Sequence, residues 1–252
     1  MNFRFLNQGI KNSEIEHPKF DMKQYKHIFF DLDHTIWDFD KNAEEALHEL
    51  YVIHQLAEIG LQSADLFIET YTRNNHRLWA QYHIGEITKD ELREARFKST
   101  FTDLGLQPDL MPVDFEDAYV KLCPTKTNLF PHAHETLQYL QSKYTLHLIS
   151  NGFKDSTRIK IAGTDLAKYF QNIIISEDVG VNKPDKAIFQ YALDLAGASK
   201  AESVMIGDSI EADIRGALNF GMDAIYFNPF NAEKPDDVTV QIAHLKELTL
   251  LL

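Results

Sequence analysis

A single cysteine, Cys123, stands in a chain of 252 residues, which excludes an internal disulfide and fits a reducing compartment, the cytoplasm. Cys123 reads as a small packing residue sooner than as a nucleophile. No apolar run approaches the roughly 20 residues that a membrane-spanning helix needs. The opening stretch MNFRFLNQGIKNSEIEHPKF mixes charges and amides without an apolar centre or a small-residue cleavage site, so no secretory signal is expected. Positive charge is scarce: 25 Lys and Arg against 38 Asp and Glu give a net charge of −13. Such a surface repels nucleic-acid polymers and anionic membranes. A small phosphorylated ligand stays open, because a divalent cation and a lysine or two reverse the potential inside a cleft. Internal repeats and low-complexity tracts are also missing. What remains, 44% hydrophobic and 25% charged residues, suits a globular protein of one large domain, or one domain with an insertion.

Short apolar runs then stand out: His27–Phe30, Thr145–Ile149, Asn172–Ile175, Ser203–Ile206 and Ala224–Phe227. Continuous β-branched and aromatic runs suit strands buried on both faces. Amphipathic stretches at Asp155–Phe170, Pro184–Ala196 and Ile210–Phe220 lie between the later ones, and this alternation implies a parallel sheet. The interval from Phe30 to Thr145 is far too long for a single crossover helix. Within it, Asn42–Ile59, Ala64–His83, Lys89–Leu104 and Pro112–Lys121 repeat apolar residues at helical spacing. Thr88 and Glu91 form a capping box, and Gly60, Gly85 and Gly105 mark stops. A helical unit inserted after the first strand is expected, with loops around Phe39–Lys41 and Thr125–Asn128 as hinges.

Four motifs fall at the carboxyl ends of these strands, where ligands of open parallel sheets bind. Asp31-Leu32-Asp33-His34-Thr35 places two carboxylates at i and i+2, able to converge on one cation or to divide nucleophilic and acid–base work. Ser150-Asn151-Gly152 can cradle phosphate oxygens. Lys183-Pro184 can bring a cation to the cleft at a helix start. In Gly207-Asp208-Ser209-Ile210-Glu211-Ala212-Asp213, Asp208 can complete an oxygen ligand set and Asp213 can orient the lysine or a metal-bound water. Taken singly, each is equally an acidic turn, an N-cap, a surface lysine or a capping acid. Pro131 is followed by His132 and His134, but without a third ligand at zinc spacing no zinc site is expected there.

In this order the four motifs resemble those of the haloacid dehalogenase superfamily, over about His27 to Phe230. The resemblance implies an α/β fold: a Rossmann-like parallel sheet ordered 5-4-1-2-3 with an inserted α-helical cap. Residues 23–39 and 128–252 would form the core, 40–127 the cap, and 1–22 an N-terminal extension, with Met22 an alternative start. It implies Asp31 as nucleophile, Asp33 as general acid/base and Lys183 as the charge-stabilising cation. Thr35, Ser150 and Asn151 would bind phosphate. Asp31, Asp33 (through its carbonyl) and Asp208 would hold Mg²⁺, with Asp213 behind them. True dehalogenases lack the second Asp of the first motif, so Asp33 favours phosphate-ester chemistry.

The expected activity is therefore Mg²⁺-dependent hydrolysis of small phosphomonoesters through an aspartyl-phosphate, by a monomer or weak homodimer. The Asp31–Phe39 run and the Asn75–Trp79 and Gly85–Thr88 stretches resemble a 5′-nucleotidase-like branch acting on nucleoside monophosphates. A β-phosphoglucomutase-like phosphomutase and a phosphoglycolate-type phosphatase are the alternatives. Arg77, Trp79, Tyr82 and His83 are candidates to meet a base or a second anionic group, or else to pack inside the cap.

Overall fold

The computed structural model describes residues 25–252; the expected extension 1–22 and the start at Met22 lie outside them. Strands β1 (His27–Phe30), β2 (Thr145–Ser150), β3 (Asn172–Ile175), β4 (Ser203–Gly207), β5 (Asp223–Phe227) and β6 (Gln241–Ile242) form one sheet in the order β3-β2-β1-β4-β5-β6. All neighbouring pairs are parallel. This is the expected order, with β6 added beyond β5.

Alternation along the strands sorts side chains to the two faces. Ile28, Phe30, Leu146, Leu148, Val204, Ile206, Ile225 and Phe227 belong to one apolar cluster. Phe29, Ile149, Met205, Ala224 and Tyr226 belong to another on the opposite face. Helices α5 (Ala133–Gln141), α6 (Lys154–Gly163), α8 (Lys186–Ala196) and α9 (Gly216–Phe220), with the short α7 (Ser176–Val179) and α10 (Leu248–Leu251), accompany the sheet.

Between β1 and α5 run α1 (Phe39–Ile53), α2 (Ala64–His83), α3 (Lys89–Asp103) and α4 (Phe115–Leu122). Phe67, Tyr71, Phe97, Phe101 and Phe115 fill their interior and are fully buried. Buried Arg96 ties α3 to α4 with a two-pronged pair to Glu116, at 2.9 and 2.6 Å. The Thr88–Glu91 capping box closes the start of α3.

Helix α1 departs from its expected bounds. It begins at Phe39 because Asp38 caps it, accepting from the Lys41 main chain, and it ends at Ile53. Gln55 (φ 50°) and Gly60 (φ 109°) then turn the chain. The expected hinge loop Phe39–Lys41 is thus the first turn of a helix. Asn42 clasps the opposite chain crossing: its Oδ1 accepts from Asn128 N at 2.9 Å, and its Nδ2 donates to the carbonyls of Asn128 (2.8 Å) and Asp38 (2.7 Å). Both connections between sheet and insertion are held by one buried amide, whose polar atoms are all satisfied.

No helix among the described residues is long and apolar enough to cross a membrane. His132 and His134 take separate partners, Glu135 and the Tyr169 hydroxyl. Cys123 is free and buried.

Candidate active site

The sheet's carboxyl edge opens into a cleft of about 560 Å³, roofed by α2 and lined by Asp31, Asp33, Ser150, Lys183, Asp208 and Asp213 among others. The main chain of Asp31 carries on the pairing of β1, donating to Ile206 O at 2.9 Å. Lys183 enters from the turn before α8 and is fully buried, with Nζ bonded to Asp31 Oδ1 (2.6 Å), Asp213 Oδ1 (2.6 Å) and Ile149 O (2.7 Å). Burial alone would lower its pKa, but the two carboxylates overcome this and hold it above the usual lysine range.

Asp213 lies on an irregular turn after β4 that includes a wide main-chain bond, Ile214 N to Ser209 O at 3.1 Å. Such π-type turns recur at functional sites. Its Oδ2 accepts from Ser209 N at 3.1 Å. Gly207 makes room for it: a β-carbon there would stand 2.2 Å from Asp213 Oδ2.

Oxygens of Asp31, Asp208 and Asp213 come within 4.8 Å of one another. Burial, and then the neighbouring carboxylates, push Asp208 well above the ordinary carboxylate range. Burial also raises Asp31, to about 7, against the opposing pull of Lys183. Three converging carboxylates face one lysine, a charge deficit that a hard divalent cation such as Mg²⁺ relieves. The all-oxygen donor set suits that ion.

Two residues expected at the phosphate have other partners. Thr35, fully buried, donates its hydroxyl to Asp208 Oδ1 at 3.1 Å. The Asn151 amide pairs with the Lys183 main chain, donating to its carbonyl (2.9 Å) and accepting from its N–H (2.8 Å). These bonds orient the Asp208 carboxylate and the Lys183 turn, and Asn151, with a second amide hydrogen, still lines the cleft. Ser150 Oγ accepts from Gly152 N at 3.0 Å, leaving its proton to donate. A β-carbon on Gly152 would stand 3.1 Å from both Asp33 Oδ2 and Ser150 Oγ.

The model of the haloacid dehalogenase-like hydrolases matches residues 25–221. The chain belongs to that family. Among its relatives, this hydrolase is 32% identical to the pyrimidine 5′-nucleotidase YjjG of Escherichia coli, over 89% of this chain and 96% of the relative. It is 33% identical to the pyrimidine 5′-nucleotidase PynA of Streptococcus pneumoniae, over 83% and 86%. The crystal structure of the putative HAD-hydrolase YfnB from Bacillus subtilis, bound to magnesium, superposes with a TM-score of 0.79 at 29% identity, covering 91% of this chain and 99% of that one.

Lys160 escaped the motif reading. Its Nζ bonds Asp33 Oδ1 at 2.6 Å and lies 4.3 Å from the centre of the Trp37 ring. The signal was present in α6, whose buried residues Ser156, Thr157, Lys160 and Ile161 repeat at helical spacing and put a lysine on the inward face. His34, Asp40 and His76 also gather at the cleft. Burial lowers His34, while the bond to Asp40 raises His76. Of the aromatic and basic candidates on α2, Trp79 and His83 line the cleft, while Trp79 and Tyr82 both pack against Phe153. Arg77 is exposed. Burial draws His83 down to about 4, leaving a neutral imidazole at pH 7.

The raised Asp31 carboxyl carries a stability consequence. The folded protein keeps this proton up to about pH 7, whereas an unfolded Asp releases it near about pH 4. Between those values the folded state binds more protons, so Asp31 destabilises the metal-free fold increasingly as pH rises. In calorimetry of metal-free protein, the Tm of the wild type relative to Asp31→Asn is expected to fall from pH 4 to 7. A constant difference would contradict the raised carboxyl.

Proposed function

We propose that this hydrolase is a Mg²⁺-dependent phosphatase of small phosphomonoesters, with pyrimidine nucleoside 5′-monophosphates as its substrate class. The observation that carries the reading is the pairing of roles in the cleft. Asp31 is held by a buried lysine among converging carboxylates, while Asp33, two residues on, is held apart by a different lysine.

Asp31 attacks phosphorus, the ester P–O bond breaks, and the departing alkoxide takes a proton from Asp33. Asp33 then removes a proton from water, which attacks the aspartyl-phosphate, frees inorganic phosphate and restores Asp31. Lys183 and the Ser150 hydroxyl stabilise the phosphoryl oxygens of the in-line transition state. Asp31, Asp208 and the Asp33 carbonyl would hold Mg²⁺, which supplies charge neutralisation when bound, with Asp213 behind them. The helical insertion, residues 40–127, acts as a cap that limits water at the cleft.

The nucleotide class rests on the two pyrimidine 5′-nucleotidases and on the aromatic and imidazole side chains of the cleft roof, Trp79 and His83, suited to a base. Asp33 speaks against dehalogenation, whose leaving halide needs no proton. We place the enzyme in the cytoplasm.

The test is turnover of a panel of phosphorylated metabolites with and without Mg²⁺, with product analysis on glucose 1-phosphate. Hydrolysis that is strongest on pyrimidine monophosphates and lost with chelator is expected. Isomerisation of the sugar phosphate faster than its hydrolysis would make the enzyme a mutase.

Lys160→Met tests the second lysine. Losing the partner of Asp33 is expected to lower kcat about tenfold, a part of the roughly 10²–10⁴ that a positioned acid–base group contributes. KM should change little. An unchanged kcat would remove Lys160 from the mechanism.

A further inference from the structure

We propose that His34, Asp40 and His76 form a second metal site, for a cation of the Zn²⁺ class, at the mouth of the cleft. One donor atom from each lies within 4.8 Å of the other two. His76 Nε2 is 2.9 Å from Asp40 Oδ1, and His34 Nδ1 is 3.9 Å from Asp40 Oδ2. The two imidazoles meet edge to face, ring centres 5.2 Å apart at 83°, so they approach the carboxylate from different directions. Two nitrogens and one oxygen are the donors of a borderline transition cation, whereas the carboxylate cluster deeper in the cleft offers only oxygen. The two sites therefore select different ions.

The ligands are held in advance of any cation. His34 sits in the left-handed region (φ 61°), its main-chain N–H donates to Trp37 O at 2.9 Å, and its ring packs 5.0 Å from that of Phe39. Asp40 lies in the first turn of α1 and His76 within α2. Asp33 and Lys160 are the other charged groups facing His34, so two carboxylates oppose one ammonium there and the local charge favours a cation. All three residues line the cleft, and three protein ligands leave a coordination position facing it, the arrangement of an open rather than a closed structural site. A cation bound here links the loop after β1 to α1 and α2. It pins the helical insertion to the sheet and narrows the entrance, so it is expected to slow turnover. The assignment stands on this geometry alone and holds whatever the substrate.

Titration of the metal-free full chain with Co²⁺, in saturating Mg²⁺, reads the site through the visible absorption of nitrogen-ligated cobalt. One Co²⁺ per chain is expected, displaced by Zn²⁺. His76→Gln and Asp40→Asn should each weaken it by about tenfold or more, given the 10–100-fold cost of losing even an outer-shell partner. Their melting temperatures in Mg²⁺ alone verify folding, and Zn²⁺ should raise the Tm of the wild type but not of His76→Gln. Asp208→Asn should bind Co²⁺ unchanged, and so should His132→Gln with His134→Gln. Absence of the cobalt spectrum under saturating Mg²⁺ would overturn the assignment, as would full-strength binding by both site variants or loss through the His132 and His134 pair.

Discussion

Asp31→Asn is expected to lower Mg²⁺-supported hydrolysis of p-nitrophenyl phosphate by about 10⁴-fold or more, the scale seen when a nucleophile is removed. The carboxamide offers no anionic oxygen to form the acyl-phosphate, and the neighbouring groups have other bonds: Lys183 is a cation, Asp213 is bonded to Lys183 and Ser209, Asp208 to Thr35, and Asp33 to Lys160. The fold should survive. The Asn oxygen can still accept from Lys183 Nζ, and a carboxyl that burial raises to about 7 contributes little stability as an anion near neutral pH. Stopped assays with repurified enzyme, alongside calorimetry, separate the two effects. Turnover within a few-fold of the wild type would remove Asp31 as nucleophile, whereas a large drop in Tm would turn the loss of activity into a folding effect.

The strands were legible because each was a short, continuous run of apolar residues and because a parallel sheet buries both faces. Strand β6 was not, since Gln241–Ile242 is too short to carry a pattern. The motifs marked the right strand ends, and the structure brings Asp31, Lys183, Asp208 and Asp213 to one point. Partnerships within the site were another matter. Amide chemistry allows Asn151 to meet phosphate, and the family resemblance alone implies it for Thr35. Which buried atom each one meets depends on chain segments 32 and 173 residues away. Lys160 meets Asp33 across 127 residues, and only its place on the inward face of α6 hinted at a partner. The start of α1 was misplaced for a local reason: apolar periodicity locates a helix face, whereas Asp38 decides where the helix begins.

Lys183→Met should be costly in two separable ways. In the wild type the ammonium bonds Asp31, Asp213 and a main-chain carbonyl, while its side chain is only 1% exposed. Removing it leaves two buried carboxylates side by side with no counter-charge, and breaking such an arrangement costs about 3–5 kcal/mol. The loss should shrink in acid, where protonation of Asp31 relieves the repulsion, and grow toward neutral pH. Mg²⁺ should restore part of it by supplying positive charge beside Asp31. Activity should fall by about 10²–10³, the cost of removing one preorganised charge from a transition state. Asp213→Asn, added to Lys183→Met, discriminates between the two effects. It takes away one of the stranded carboxylates, so the double variant should regain most of the Tm lost by the single one. Catalysis should not return, because the developing charge on the phosphoryl oxygens still has no lysine opposite it. Recovery of both together would mean that Lys183 serves only to neutralise Asp31 and Asp213 in the folded protein.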